Sequence, residues 1–263
     1  MSETATQATV PIIEMRAVTV GSRQDPATVV AKDVNWTVQP GEFWVVGAPQ
    51  HSGKTDFLML AGGLTAPTHG DYFFSGERMP IFEEPRLAHR LKLGFVFDGG
   101  QLLTHLTVAE NVALPLQYHR NLEFAATAER VSEALELTGL SPWADRLPET
   151  LGRSWRQRAG LARALVLEPE VILFDSPLTG LDVRHTFWWL GLLDQLARGH
   201  GFLDHKPITI IATADDLRPW RRHANRVACL ADRRLRVLGD WAAAARSGDA
   251  TFDELLQEDS HHD

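Results

Sequence analysis

The residues Val45-Val-Gly-Ala-Pro-Gln-His-Ser-Gly-Lys-Thr-Asp-Phe-Leu-Met-Leu60 constrain this chain more than any other stretch. An apolar, strand-like run enters a short turn, the turn ends in Ser52-Gly53-Lys54-Thr55, and a helix-like segment follows. In that order a glycine turn becomes a phosphate loop. Backbone N–H groups of the turn and of the helix N-terminus face one anion, and a lysine adds a point charge for the terminal phosphates. The loop reads as Gly47, Ala48, Pro49, Gln50, His51, Ser52, Gly53, Lys54 and Thr55, with the Thr55 hydroxyl directed at Mg2+. Ala48 stands where the strict pattern has glycine, which is tolerable only if φ is negative there. The competing reading is an ordinary turn with a solvated lysine, and the coincidence of strand, turn, Gly-Lys-Thr and helix weighs against it. His51 reads as a surface side chain.

A second stretch, Val171-Ile-Leu-Phe-Asp-Ser-Pro-Leu-Thr-Gly-Leu-Asp182, carries four apolar residues into Asp175. A carboxylate at the end of a buried strand beside a phosphate loop reads as a magnesium group. The following position, where a hydrolytic site wants a second carboxylate, is Ser176. A serine orients water by hydrogen bonding but does not take a proton near neutral pH.

Around these two stretches, strand-like runs alternate with helical ones. Short strands are expected through Ile12–Val20, Ala27–Val38, Glu42–Gly47 and Asp71–Glu77, then a strand at Leu91–Phe97. From about Val108 to Leu167 leucines and alanines recur at helical spacing, and strands return at Val171–Phe174, Ile208–Thr213, Arg226–Leu230 and Arg234–Gly239. The expected architecture is α/β: a mainly parallel sheet core, an N-terminal antiparallel β subdomain and a helical insert. Residues 1–10 read as a flexible N-terminus and 11–240 as a single domain with a helical subdomain at about 99–167. A C-terminal helix and acidic tail fill 241–263.

Acidic residues outnumber basic ones 34 to 26, a net charge of −8, which argues against a nucleic-acid partner. No apolar run reaches the roughly 18–20 residues of a membrane span, and the start lacks a signal-peptide pattern. A soluble cytoplasmic chain is expected, with any membrane role exercised through a partner. The lone Cys229, inside Arg226-Val-Ala-Cys-Leu230, reads as a small core residue.

The phosphate loop, the Val-Ile-Leu-Phe-Asp strand and the Thr179-Gly-Leu-Asp182 segment together resemble the nucleotide-binding subunit of an ABC transporter. The resemblance runs from about Ile12 to Gly239, and Leu103–His119 is most similar to subunits serving lipid-moving permeases of the lipid-asymmetry and toluene-tolerance type. It implies a P-loop NTPase fold of ABC type and ATP with Mg2+ as cofactors, held in part by Thr55 and Asp175. It also implies a transmembrane permease subunit as partner, with peripheral placement on the inner membrane face. The ATPase unit would be a homodimer or a heterodimer with a second ABC ATPase subunit.

The same resemblance marks departures. Asp98 stands at the position of the magnesium- and permease-sensing glutamine, with Gln101 a nearby substitute. The Leu-Ser-Gly-Gly-Gln signature falls on Leu151-Gly152-Arg153-Ser154-Trp155, Ser176 replaces the basic glutamate, and Ala214 replaces the γ-phosphate histidine. No Phe, Tyr, Trp or His occupies the stretch around Val18–Pro26 where the adenine-stacking aromatic is expected; Asp182 matches the D-loop. Arg153 has two readings: a solvated or capping arginine that blocks close approach, or a guanidinium that grips phosphate across the dimer. The expectation is a subunit that binds Mg-ATP and hydrolyses it poorly. The alternatives are an active ATPase motor using substitutes such as Asp98, Gln101 or Asp215, and a structural or regulatory subunit without nucleotide.

Overall fold

Alternating β-branched and aromatic residues make the opening segment a sheet. In the computed structural model, which describes residues 10–25, 27–79 and 87–257, β1 (Ile13–Gly21) buries Ile13, Met15, Val18 and Val20. The step from Met15 to Val18 breaks the period of two. A bulge at Ala17, whose φ is 49°, resets the alternation so that both halves of the strand face the core. Then come β2 (Val29–Val38), β3 (Phe43–Gly47), α1 (Lys54–Ala61), β4 (His69–Phe74), β5 (Glu77–Arg78), the short α2 (Leu87–Arg90) and β6 (Leu93–Val96). The helical segment holds α3 (Val108–Arg120), α4 (Phe124–Leu137) and α5 (Arg153–Leu165). The chain finishes with β7 (Val171–Phe174), α6 (Val183–Arg198), β8 (Thr209–Ala214), β9 (Arg226–Ala231), β10 (Arg234–Gly239), α7 (Trp241–Arg246) and α8 (Ala250–Leu256).

The strands form two sheets. One is antiparallel, ordered β2-β1-β4-β5; the other is ordered β10-β9-β3-β8-β7-β6, parallel throughout except for the edge hairpin β9–β10. This is the expected α/β architecture, with the antiparallel layer beside the parallel core. Helix α1 lies between the sheets and has no polar stripe: Phe57 through Ala61 are all buried. Trp36 meets Trp44 edge-on at 5.4 Å and Phe57 at 5.5 Å, which sets the spacing of the layers. The other face of the parallel sheet is covered by α6, α7 and α8 through Trp189, Ala244 and Phe252. Helix α1 stops at Ala61, because Gly62 and Gly63 close its last turn.

The helical subdomain packs its own core from Val112, Leu116, Val131, Leu135 and Ala162. Helix α3 begins with a reciprocal cap, in which the Thr107 hydroxyl accepts from the Glu110 N–H and the Glu110 carboxylate accepts from the Thr107 N–H. The subdomain meets the sheet core partly through Arg158, 5% exposed, whose guanidinium lies 3.4 Å from the Trp188 ring centre and 4.5 Å from that of Trp155. Burial pushes the Arg158 guanidinium down to about 10. Of the expected flexible start at 1–10 and the acidic tail, residues 1–9 and 258–263 lie outside the described residues. No helix among the described residues is long and apolar enough to cross a membrane.

Candidate functional site

The phosphate loop sits where β3, a fully buried central strand, turns into α1. Ala48 has no left-handed φ, so the alanine fits without strain, and its N–H donates to the Ala214 carbonyl at 2.8 Å. The left-handed residues of the loop are His51 (φ 61°) and Gly53 (φ 81°). Glycine is required at 53 by conformation and by space, since a Cβ there would stand 2.5 Å from the Val30 side chain. Helix α1 has no side-chain cap, so its first N–H groups remain for an anion.

Thr55 and Asp175 meet at the foot of this loop. The Thr55 hydroxyl donates to Asp175 Oδ2 at 2.8 Å, and Thr213 donates to Asp175 Oδ1 at 3.3 Å. Lys54 Nζ lies 3.8 Å from Asp215 Oδ2, and Asp215 also accepts from the Thr179 hydroxyl at 3.0 Å. Burial raises the Asp175 carboxyl above the usual carboxylate range; hydrogen bonds from Thr55 and Thr213 oppose this, the Asp98 charge adds to it, and Lys54 opposes it.

A carboxyl raised in the folded chain is favoured protonated there. Its contribution to stability is present below the ordinary carboxylate range and is lost as pH rises through the raised value. The charged form is therefore a cost that a cation relieves. Asp175→Asn is expected to raise the melting temperature of the nucleotide-free chain at neutral pH, with the gain vanishing in acid. The same change should abolish the effect of Mg2+ on ATP affinity. Thermal denaturation against pH and titration with and without Mg2+ check both halves.

The residues present fit Mg-ATP. Ser52 Oγ is buried without a hydrogen-bond partner in the loop itself, a hydroxyl aimed at something the chain does not supply. An open groove of about 710 Å3, a size suited to a nucleotide, is lined by His51 through Asp56 together with Thr28, Val30 and Arg233.

The positions where the family has its base and its γ-phosphate histidine hold Ser176 and Ala214. Ser176 is 6% exposed, takes φ 49°, and anchors its N–H on the Thr213 hydroxyl at 3.0 Å, while its own Oγ is buried without a partner. Ala214 ends β8 and lines a cavity of about 330 Å3 with Thr179, Asp215 and Trp220. Space for a larger side chain is present beside Ala214, and no imidazole of the described residues lines it.

Arg153 is turned into its own chain. Its Nε donates to Asp98 Oδ1 at 2.8 Å, a second guanidinium nitrogen bonds the same oxygen, and the third donates to the Thr179 carbonyl at 2.7 Å. Three stretches distant in sequence converge here: the Asp98 loop, the start of α5 and the segment after Ser176. Arg153 is the first residue of α5, where the helix dipole disfavours a cation, and Asp98 supplies the offsetting charge. The pair is about half exposed, so its worth is about 0.2–1 kcal/mol.

Gly99, Gly100 and Gln101 all take left-handed φ, and Arg163 ties the carbonyls of Gly100 and Gln101 at 2.8 and 3.0 Å. A Cβ on Gly100 would stand 2.1 Å from the Arg156 carbonyl oxygen, so this loop is clamped on α5. The Gln101 side chain is exposed and Gln101 takes part through its carbonyl. Gly152 caps α5 with open space where a Cβ would go, and Ser154 Oγ is buried without a partner. Asp182 caps α6, accepting from the His185 N–H at 2.9 Å and contacting His185 Nδ1 at 2.9 Å; those bonds hold its carboxyl below the usual range. Sequence reasoning missed Thr213, which braces both Asp175 and Ser176, and Arg163; Thr213's place at the end of an apolar strand beside Ala214 was the available signal.

The sequence profile of the ABC transporter family matches residues 31–179. The intermembrane phospholipid transport system ATP-binding protein MlaF of Escherichia coli (strain K12) is 30% identical over 253 residues, covering 95% of this chain and 90% of that protein. Methionine import ATP-binding protein MetN 2 of Rhodococcus jostii (strain RHA1) is 34% identical over 87% of this chain and 66% of its own length. Among solved structures, the dimeric post-hydrolysis state of the ATP-binding cassette MJ0796 bound to ADP and Pi superposes with a TM-score of 0.76 at 28% identity, over 86% of this chain and 98% of that one. CbiO1 of Clostridium perfringens, part of the ABC transporter complex cbiONQ, superposes at 0.74 with 21% identity over 90% and 91%, a likeness of fold.

Proposed function

The chain belongs to the ABC transporter family, and we propose that it serves there as a nucleotide-binding subunit that holds Mg-ATP and hydrolyses it poorly. Members of the family are Mg-ATP proteins, and Thr55, Asp175, Lys54 and the open N-terminus of α1 are the groups that would hold the nucleotide here. Bound Mg2+ supplies charge neutralisation for the phosphates. The single observation that carries the reading is the contrast across one site. The Thr55–Asp175 bond is made at the foot of an intact phosphate loop, while Ser176, in the next position, offers a buried hydroxyl and no base.

Two of the three substitutes for an active motor are already engaged, and the third, Gln101, has an exposed side chain. Asp98 is paired with Arg153, and Asp215 with Lys54 and Thr179. Loss of general-base help costs about 10²–10⁴-fold in typical enzymes. Similarity to a phospholipid transport ATP-binding protein over 95% of the chain supports a lipid-moving permease as the membrane partner, with this subunit peripheral to it. A second ATP-binding subunit, or a second copy of this chain, would complete the pair.

Calorimetric titration of the purified chain with Mg-ATP, paired with phosphate release, tests the reading. Saturable binding with turnover at or below about 10⁻² of the roughly 1–10³ s⁻¹ common among enzymes is expected. Ordinary turnover would install the motor reading, and absence of binding at millimolar Mg-ATP would install the structural one.

A further inference from the structure

The groove that holds the phosphate loop runs on to the hairpin between β9 and β10, where Asp232 and Arg233 form the turn. Both take left-handed φ, 51° and 58°, in a turn that usually employs asparagine and glycine. The turn is tied down: the Arg233 carbonyl accepts from the Lys32 N–H at 2.9 Å, joining the hairpin to β2. Val30 packs directly on Gly53, so β2 and the phosphate loop share a wall of the same groove.

The chemistry of the lining is uneven. At one end stand Lys54 and the N-terminus of α1, groups for phosphate. The rest of the wall is Val29, Val30 and Ala231 with the polar Ser22, Gln24, Thr28, Asp56 and Asp232, and among the described residues no Phe, Tyr or Trp lines it. Among the described lining residues the larger planar side chains are the Gln24 amide, the His51 imidazole, within the loop, and the Arg233 guanidinium, on the far hairpin. The Arg233 guanidinium has no ion pair or side-chain hydrogen bond among the described residues; its neighbour Asp232 faces Arg236 at 3.8 Å. A planar cation with a fixed backbone and a free head, across from the apolar Val29 and Val30, is suited to the face of an aromatic ring.

We propose that Arg233 is the nucleobase platform of this groove, stacking its guanidinium on the base of the nucleotide whose phosphates Lys54 holds. This deepens, and rests on, the reading of the loop as a Mg-nucleotide site. Stacking reads the π-face of a base and not its edge, so adenine and guanine are accepted with similar affinity.

The test titrates Mg-ATP, Mg-GTP and Mg-tripolyphosphate into the wild type, Arg233→Ala, Arg233→Trp and His51→Ala. Arg233→Ala should weaken ATP and GTP alike by about 2- to 30-fold and leave tripolyphosphate unchanged. Arg233→Trp should recover the lost affinity, since the indole supplies the same face without the charge. An equal loss for tripolyphosphate would make Arg233 a phosphate ligand and overturn the platform. So would a loss confined to His51→Ala, or a large preference of the wild type for ATP over GTP. Wild type that binds tripolyphosphate but gains nothing from a base would sink the platform and leave the phosphate-loop reading standing. Wild type that binds none of the three would remove both.

Discussion

Lys54→Ala is expected to abolish measurable Mg-ATP binding, a loss of about 100-fold or more. The reason lies in what surrounds the ammonium. Lys54 is the cation at the loop, its side chain 16% exposed, and its partner Asp215 lies 3.8 Å away with Asp175 also in the site. A hydrogen bond to a charged group is worth roughly 1.5–3 kcal/mol, which is about 10- to 150-fold in affinity. The alanine variant also leaves Asp215 unneutralised beside the incoming phosphates, adding repulsion to the lost attraction. Arg at the same position keeps the charge but not the compact head, so Lys54→Arg should recover only part of the binding. Titration calorimetry on both variants, with thermal denaturation to confirm folding, is the measurement. Equal binding by Lys54→Ala would show that the loop is a turn and nothing more.

The phosphate loop and the Asp175 strand were legible in the sequence because each is a local pattern: apolar strand, turn residues, then chemistry at the strand end. The mainly parallel core beside an antiparallel layer then follows from alternation of β and α runs, whereas the strand order β10-β9-β3-β8-β7-β6 does not. The pairing of Asp98 with Arg153 was not legible. The two residues are 55 apart in sequence, and nothing local in either stretch points to the other. The reading of Arg153 as solvated or as a cross-dimer grip left out the arrangement seen here, a side chain satisfied within its own chain by Asp98 and Thr179.

A single C-terminal helix was expected in 241–263; the structure has two short ones, α7 and α8, and α8 packs on the strand end that enters the phosphate loop. Leu255 of α8 lies where a Cβ on Gly47 would meet it at 2.9 Å, and its carbonyl accepts from the Leu217 N–H at 3.0 Å. Asp249, Phe252 and Leu255, a cap followed by apolar residues three apart, held that information. Arg158 between two tryptophans was equally silent, since a buried arginine looks like a surface one until its stacking partners are placed.

Restoring the hydrolytic groups one at a time should produce little turnover, and restoring them together should raise it about 10³-fold or more. Ser176→Glu returns a base, but a base alone acts on a γ-phosphate whose developing charge meets Ala214 and a signature occupied by Arg153. Each missing donor of that kind is worth about 10²–10³-fold elsewhere, and such contributions do not multiply cleanly. Ala214→His has room to enter the cavity of about 330 Å3 beside β8. Arg153→Gly must be accompanied by Asp98→Gln, because the change otherwise leaves a free carboxylate whose charge already pushes the Asp175 carboxyl up. Gly152→Ser fits without displacement, since nothing lies within 4 Å of the added Cβ, and it gives α5 the side-chain cap it lacks. If two such cassettes face each other, each ATP lies between one chain's loop and the other's signature. Base and signature are altered in the same chain, so pairing with a competent partner impairs both sites: one lacks its base, the other its clamp. The expected series is therefore Ser176→Glu within about tenfold of wild type, the double variant with Ala214→His modestly higher, and the full set Lys54-dependent and fast, read as phosphate release from the assembled complex. Vigorous turnover from Ser176→Glu alone would show that the other departures matter little. Ordinary wild-type turnover that collapses in Arg153→Gly would instead make the guanidinium a working phosphate clamp, released from Asp98 when the subunits close.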